Sequence, residues 1–123
     1  MSNCLFCELQ NEEKLLENDL AYARFDGFPV SKGHLEVMPK RHIKDWWSTT
    51  KEEREAIFEL IDKAKEIVDS KYHPDAYNIG MNLGEEAGQS IFHLHVHLIP
   101  RYKGDVENPR GGVRGVIPNK QNY

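Results

Sequence analysis

Residues 91–101, IFHLHVHLIPR, decide the fold reading. They hold three of the chain's six histidines, at every second position, with Leu94, Val96 and Leu98 between them. Side chains alternate faces along a strand, and neighbours on one face lie roughly 6.5–7 Å apart. His93, His95 and His97 therefore share one face of an extended segment. Leu94, Val96 and Leu98 share the other and can sit under a helix. Thr, Lys, Glu or Arg would serve an open face as well, so three imidazoles in register indicate chemistry rather than solvation. Two kinds fit. Neutral imidazoles bind metals. Alternatively, one ring acts as nucleophile or base while its neighbours steer protons and bind an anion.

The elements around this segment are legible by pattern. Residues 8–18 are polar and acidic and read as a loop or short helix. LAYARF (20–25) is short, apolar and aromatic, a strand. DGFPVSKG (26–33) carries the turn residues Gly27, Pro29 and Gly33. In HLEVMPK (34–40), His34, Glu36 and Met38 face one way and Leu35 and Val37 the other, so these pieces form an antiparallel hairpin. Thr50 followed by Glu53 fits a capping box. From there Ala56, Ile57, Leu60, Ile61, Ala64, Ile67 and Val68 recur at helical spacing, while Glu52, Glu53, Glu55, Lys63 and Lys65 cover the wet side. The helix breaks before Pro74. AYNIGMN (76–82) is a strand, LGEEAGQ (83–89) a turn, and SIFHLHVHLIP (90–100) a long strand ended by Pro100. GGVRGVI (111–117) is a short strand or ordered tail. The order suggests an α+β antiparallel sheet with one main helix.

Composition narrows the function. The chain's 123 residues suit one domain, with residues 103–123 as an extended C-terminal tail. Hydrophobic content of 39% and charged content of 29% are those of a globular protein. A net charge of −4 argues against nucleic acid as a partner. No apolar run approaches the roughly 20 residues of a membrane span, and the first residues turn acidic too early for a signal peptide. A cytoplasmic location is the expectation. Cys4 and Cys7, in CLFC, then need a reason other than a disulfide: zinc, redox chemistry or coincidence.

HLHVHLI matches the alternating pattern that names the histidine triad (HIT) family of nucleotide hydrolases and transferases. CLFC, FDGFPVSKGHLEVMPKRHI and MNLGEEAGQSIFHLHVHLIPRYKGD resemble the same family in the same order, over about residues 4–105. The resemblance implies a five-stranded antiparallel sheet with one long helix, doubled across a two-fold dimer. It also implies a hydrolase acting on phosphorus anhydride or phosphoramidate bonds. His95, the middle histidine, would attack the α-phosphate and form a covalent nucleotidyl-imidazole that water hydrolyses. His97 would lie near the phosphate and leaving atom. Ser90 would help protonate the leaving group, and Gln89 with the backbone of Gly88 to Ser90 would donate to phosphoryl oxygens. His34 matches a fourth histidine of the site; read alone it is a structural residue of an alternating strand. Asp26 would accept from the ribose hydroxyls, although Asp before Gly is ordinarily a turn former. Asn82 would sit beside the α-phosphate or else end a strand. Phe6, Phe25 and Leu35 are candidates for the wall of the base pocket.

The zinc-containing branch of the family implies a structural site from Cys4, Cys7, His42 and His93. Adenine nucleotides are the expected substrates. Hydrolysis is favoured over transfer by His97, because transferring branches carry Gln in the third position. Dinucleoside polyphosphates such as diadenosine tetraphosphate lead the substrates, because the tail extends past the triad as in bacterial members that hydrolyse them; Arg101, Lys103, Arg110 and Arg114 engage a polyphosphate chain or form an exposed basic tail. Adenosine phosphoramidate is the alternative. A nucleotide- or zinc-binding interaction module with little turnover is a different class, against which the intact triad and Ser90 argue. A redox dithiol would explain none of the histidines. Trp46 and Trp47 pack the loop before the helix or mark a partner surface.

Overall fold

A computed structural model describes residues 4–12 and 14–123. Residues 1–3 and Glu13, which fall in the stretches read as lacking a leader and as a loop or short helix, lie outside the described residues. Five strands form one sheet in the order β1-β2-β3-β5-β4, and every pairing is antiparallel. The strands are β1 (Leu16–Glu17), β2 (Ala21–Phe25), β3 (Leu35–Pro39), β4 (Ala76–Gly80) and β5 (Val96–Arg101). A five-residue helix, α1 (Leu5–Leu9), precedes them, and the main helix α2 (Lys51–Tyr72) crosses from β3 to β4.

Strand alternation divides the sheet into two unlike faces. Ala21, Ala23 and Phe25 of β2, Leu35 and Val37 of β3, and Val96 and Leu98 of β5 point toward α2. There they meet Ile57, Leu60, Ile61, Ala64 and Val68 and form the main core. On the other face Tyr22 and Met38 close around Phe6 of α1 as a second, smaller cluster. Arg24, Glu36 and His97 continue that face, since Arg24 lies opposite Glu36 and Glu36 opposite His97.

Helix α2 begins where the capping box places it. The Thr50 hydroxyl accepts from the Glu53 amide, and the Glu53 carboxylate accepts from the Thr50 amide. It ends at His73, which takes a left-handed conformation (φ 53°) before Pro74. Glu53 is not on the wet side, however. It is 4% exposed and holds Arg41 in a two-pronged contact, Nε to Oε2 at 2.9 Å and Nη2 to Oε1 at 2.8 Å. The cap and the ion pair together draw the carboxylate inward.

Three other expectations change. The last strand does not start at Ser90: its ladder begins at Val96. Between them the backbone makes a local contact instead, with the His93 carbonyl turned to accept from the His95 ring. The Leu94 amide is anchored to the Ile43 carbonyl at 2.7 Å. The tail forms no strand; residues 112–116 and 118–120 are 3-10 turns that fold against β4 and each other. The polar N-terminal stretch holds β1, too short for an alternation pattern, while the short helix starts upstream of it, running from Leu5 to Leu9 with Cys4 as its N-cap.

Candidate active site and metal cluster

Each imidazole of the site has its proton placed by a fixed neighbour. A carbonyl only accepts and a backbone N–H only donates, so the partner decides which ring nitrogen carries hydrogen. His93 is fully buried and its Nε2 lies 2.7 Å from the Pro39 carbonyl, so Nε2 bears the proton and Nδ1 is bare. That bare nitrogen faces Cys4 Sγ at 3.3 Å and Cys7 Sγ at 3.5 Å. His42 Nδ1 lies 3.4 Å from Cys7 Sγ. All four ligand atoms fall within 4.8 Å of one another.

These spacings fit a metal. With bonds of about 2.3 Å to sulfur and 2.0 Å to nitrogen, the edges of a tetrahedron are roughly 3.3–3.8 Å. Two thiols, two imidazoles and an N–H from one imidazole to a carbonyl are the donor set and outer support that such a site needs. Among the described residues no disulfide is present, so the dithiol is oriented toward imidazoles rather than closed on itself. The cluster ties α1 to the end of β3 and to the segment that carries His95.

The second group lines a cleft of about 350 Å³ on the face away from α2. His95 Nδ1 donates to the His93 carbonyl at 2.9 Å, which leaves Nε2 with its lone pair. The ring is 9% exposed and packs edge-on against Phe6, centroids 4.9 Å apart. His34 Nδ1 accepts from the Val30 amide at 3.1 Å, so its proton is on Nε2. Nε2 then donates to His97 Nδ1 at 2.9 Å. His97 in consequence carries its proton on Nε2. Burial holds both His34 and His97 below the usual imidazole range, against the upward pull of Asp26. Both are neutral at pH 7.

Asp26 fixes the pair from the side. Its Oδ1 accepts from the Phe28 amide at 2.8 Å. Its Oδ2 lies 3.5 Å from His34 Nε2 and 3.7 Å from His97 Nδ1. Burial pushes this carboxyl up, but the Phe28 amide, His34, a hydrogen bond with the Glu36 carboxyl and His97 bring it below its ordinary value.

The structure brings Asp26, Asn82, Gly88, Ser90, His95 and His97 onto one cleft wall. Gly88 has φ 96°, a conformation that L side chains rarely adopt, so the turn needs glycine, and it lies at contact distance from Asn82. His34 and His93 stand behind the wall and act through His97 and His95. Gln89 departs from its expected place. It is 3% exposed and its amide is fully committed: Nε2 donates to the Lys44 and Ile91 carbonyls, and Oε1 accepts from the Gly84 amide. It shapes the loop and sends no side-chain donor into the cleft.

The base-pocket candidates also divide. Phe6 lines the cleft with Leu5, Leu9 and Ile91. Leu35 and Phe25 lie on the helix side instead, in and against the main core, because both occupy odd positions of strands whose even positions face the cleft. The even positions are Arg24 and Glu36, which sequence reading did not single out. Their signal was available: a charged residue on each of two paired strands, in register, on the face that carries His34. The basic residues of the tail do not reach this cleft. Arg101 is forked onto Asp105, and Arg110 and Arg114 stack on Tyr123. Trp46 packs on Phe58 and under Arg54, whereas Trp47 is 73% exposed. No helix among the described residues is long and apolar enough to cross a membrane.

Comparison with known proteins decides the family. The HIT domain model matches residues 8–104. The chain belongs to the HIT family. It is 38% identical over 108 residues to Protein hit of Bacillus subtilis, covering 84% of this chain and 74% of that one. It is 36% identical over 101 residues to the AP-4-A phosphorylase of Mycobacterium tuberculosis, covering 80% of this chain and 52% of that one. Among solved structures, a Zn-bound histidine triad family protein from Mycobacterium smegmatis superimposes with a TM-score of 0.76 at 28% identity, over 86% of this chain and 80% of that one. The five-stranded sheet with one long helix is thus the HIT fold.

Proposed function

We propose that this HIT protein is a nucleotide hydrolase that attacks the α-phosphate of a dinucleoside polyphosphate through His95. The observation that carries the reading is the pair of opposite ring nitrogens in one cleft. His95 offers a lone pair at Nε2, and His97 offers N–H at Nε2, each set by an unbroken path to the backbone. A nucleophile must be unprotonated, and the oxygens that gain charge need donors. In the first step His95 Nε2 bonds to the α-phosphorus, and the bond from phosphorus to the bridging oxygen breaks. His97 Nε2–H and the exposed Ser90 hydroxyl donate to the oxygens that gain charge. In the second step water attacks the same phosphorus and gives up a proton to the medium, the P–N bond breaks, and His95 regains its lone pair.

Zinc would be held by Cys4, Cys7, His42 and His93, and would supply a structural cross-link rather than a Lewis acid in the cleft. Both the donor set here and the zinc in the M. smegmatis relative support this. The AP-4-A phosphorylase relative supports dinucleoside polyphosphates as the substrate class. A two-fold dimer and a cytoplasmic location belong to the same reading. The test is to quench the protein during turnover of diadenosine tetraphosphate and weigh its peptides. One nucleotidyl group on the peptide containing His95 is expected, with ATP and AMP as products. Turnover with the adduct on another residue would overturn the assignment.

A further inference from the structure

The cleft holds one charged pair that the hydrolysis does not use. Arg24 Nη1 donates to Glu36 Oε1 at 2.8 Å, across the β2–β3 register. Glu36 is 4% exposed, and the Arg24 side chain is 24% exposed. Both line the same cleft as His95 and His97, beyond Asp26 and beside the apolar wall of Leu5, Phe6 and Leu9. A buried ion pair is weak support for a fold, and apolar residues of similar volume stabilise about as well or better. The adjoining positions on this face, Tyr22 and Met38, show that the sheet packs apolar side chains there without difficulty. The pair therefore points to a role in the cleft.

Arg24 has five N–H donors in a planar fork and uses one of them on Glu36. A guanidinium held by one prong presents the remaining donors in a fixed plane. A nucleotide with its phosphate at His95 and His97 and its ribose at Asp26 has the remaining lining of the cleft, Phe6, Leu9, Arg24 and Glu36, left for its base. The purines differ in what they offer such a fork. A 6-oxopurine presents two acceptors side by side, O6 and N7. Adenine presents N7 beside an amino donor, which opposes an N–H. We propose that Arg24, positioned by Glu36, selects a 6-oxopurine such as guanine over adenine in the base pocket. This rests on the nucleotide reading above, and replaces the adenine preference that family resemblance implies.

The experiment compares diguanosine tetraphosphate with diadenosine tetraphosphate by kcat/KM, and GMP with AMP by equilibrium binding to His95→Ala protein. A guanine preference of about tenfold or more is expected in both, as for one bidentate base contact. Arg24→Leu should bring both ratios close to one, mainly through the guanine arm. Glu36→Leu should reduce them through KM rather than kcat, while Glu36→Gln, which still offers an oxygen to Arg24, should restore most of the preference. The double variant Arg24→Leu with Glu36→Leu leaves no unpaired charge buried, and serves as the reference should a single variant fold poorly. Ratios at or below one in the unaltered protein, or ratios that Arg24→Leu and the double variant do not move, would overturn the proposal. Turnover without base preference removes this inference and leaves the hydrolase reading standing. Guanine-selective binding without turnover of either substrate does the reverse.

Discussion

The two faces of the sheet are built from the same five strands and obey different rules. Toward α2 the requirement is volume: Leu35, Val37, Val96 and Leu98 meet Ile57, Leu60 and Val68, and polar contacts such as the Tyr77 hydroxyl donating to Asp69 are only partly buried. On the other face nearly every side chain has a direction. His93, His95 and His97 each have one nitrogen set by a partner, so the other is left with a defined proton or lone pair, and His34 is bonded at both nitrogens to link the Val30 amide to His97. The difference teaches that strand alternation lets one backbone carry a tolerant core and an intolerant site 180° apart. It also says where substitutions will be felt, in stability on one side and in chemistry on the other.

The sharpest break of this contrast is His95→Ala. It removes the nucleophile and leaves the main core untouched, so turnover should fall by at least about 10³-fold while nucleotide binding survives and the protein still unfolds cooperatively. Steady-state assays beside an unfolding curve check it, and near-normal turnover would end the nucleophile assignment. The matching test on the helix side is Leu60→Ala. Leu60 is 1% exposed in the main core, and its truncation should cost about 2–5 kcal/mol of stability. The folded fraction should keep kcat within about twofold. A large loss of kcat at a temperature where the variant is folded would mean that the faces are coupled.

How far each face was legible follows from the same contrast. The core side reads directly, because period 2 in the strands and the spacing of residues 56–68 in α2 are patterns of hydrophobicity alone, and the capping box marks the helix start. The cluster residues Cys4, Cys7, His42 and His93 come together as the family resemblance implied. What escaped was whatever depends on where a polar group finds its partner. Glu53 reads as a wet helix residue until Arg41 is known to lie beside it. Gln89 reads as a donor until its amide is seen bonded to three backbone groups. The late start of β5 has the same origin, since the ladder yields to a ring–carbonyl contact that no propensity scale contains.

A smaller effect sharpens the role of the thiols. Cys4→Ser with Cys7→Ser should take zinc from about one per chain to none, measured by elemental analysis of protein purified without chelator. Because the cluster ties α1 to the His93 segment, the same variant should lose thermal stability and also turnover, although no thiol enters the cleft. Loss of zinc with full stability and activity would make the metal a passenger. Protein that holds no zinc before substitution would remove the site altogether.

The smallest expected effect is in the pH dependence of stability, and its sign distinguishes two kinds of buried group on the same face. His34 and His97 are held below the usual imidazole range by burial. Between their folded values and about 6.5 the unfolded chain binds more protons, so their contribution is present above about 6.5 and is lost as pH falls. Glu36 behaves oppositely. Burial and the adjacent Asp26 raise it to about 7, against the pull of Arg24. The folded chain then binds the extra proton, and the contribution of Glu36 is present below its unfolded value and lost as pH rises through about 7. Acidification from pH 7 to 5 therefore weakens the histidine pair while Glu36 partly offsets the loss. Glu36→Gln removes the offset, so the variant's stability should fall more steeply over that interval than the parent's, read by urea unfolding at pH 7, 6 and 5. The metal ligands are common to both proteins, and their titration cancels in the difference. Parallel curves would mean that Arg24 keeps Glu36 ionised throughout, and the guanidinium would then be held by a full negative charge at every pH where the enzyme works.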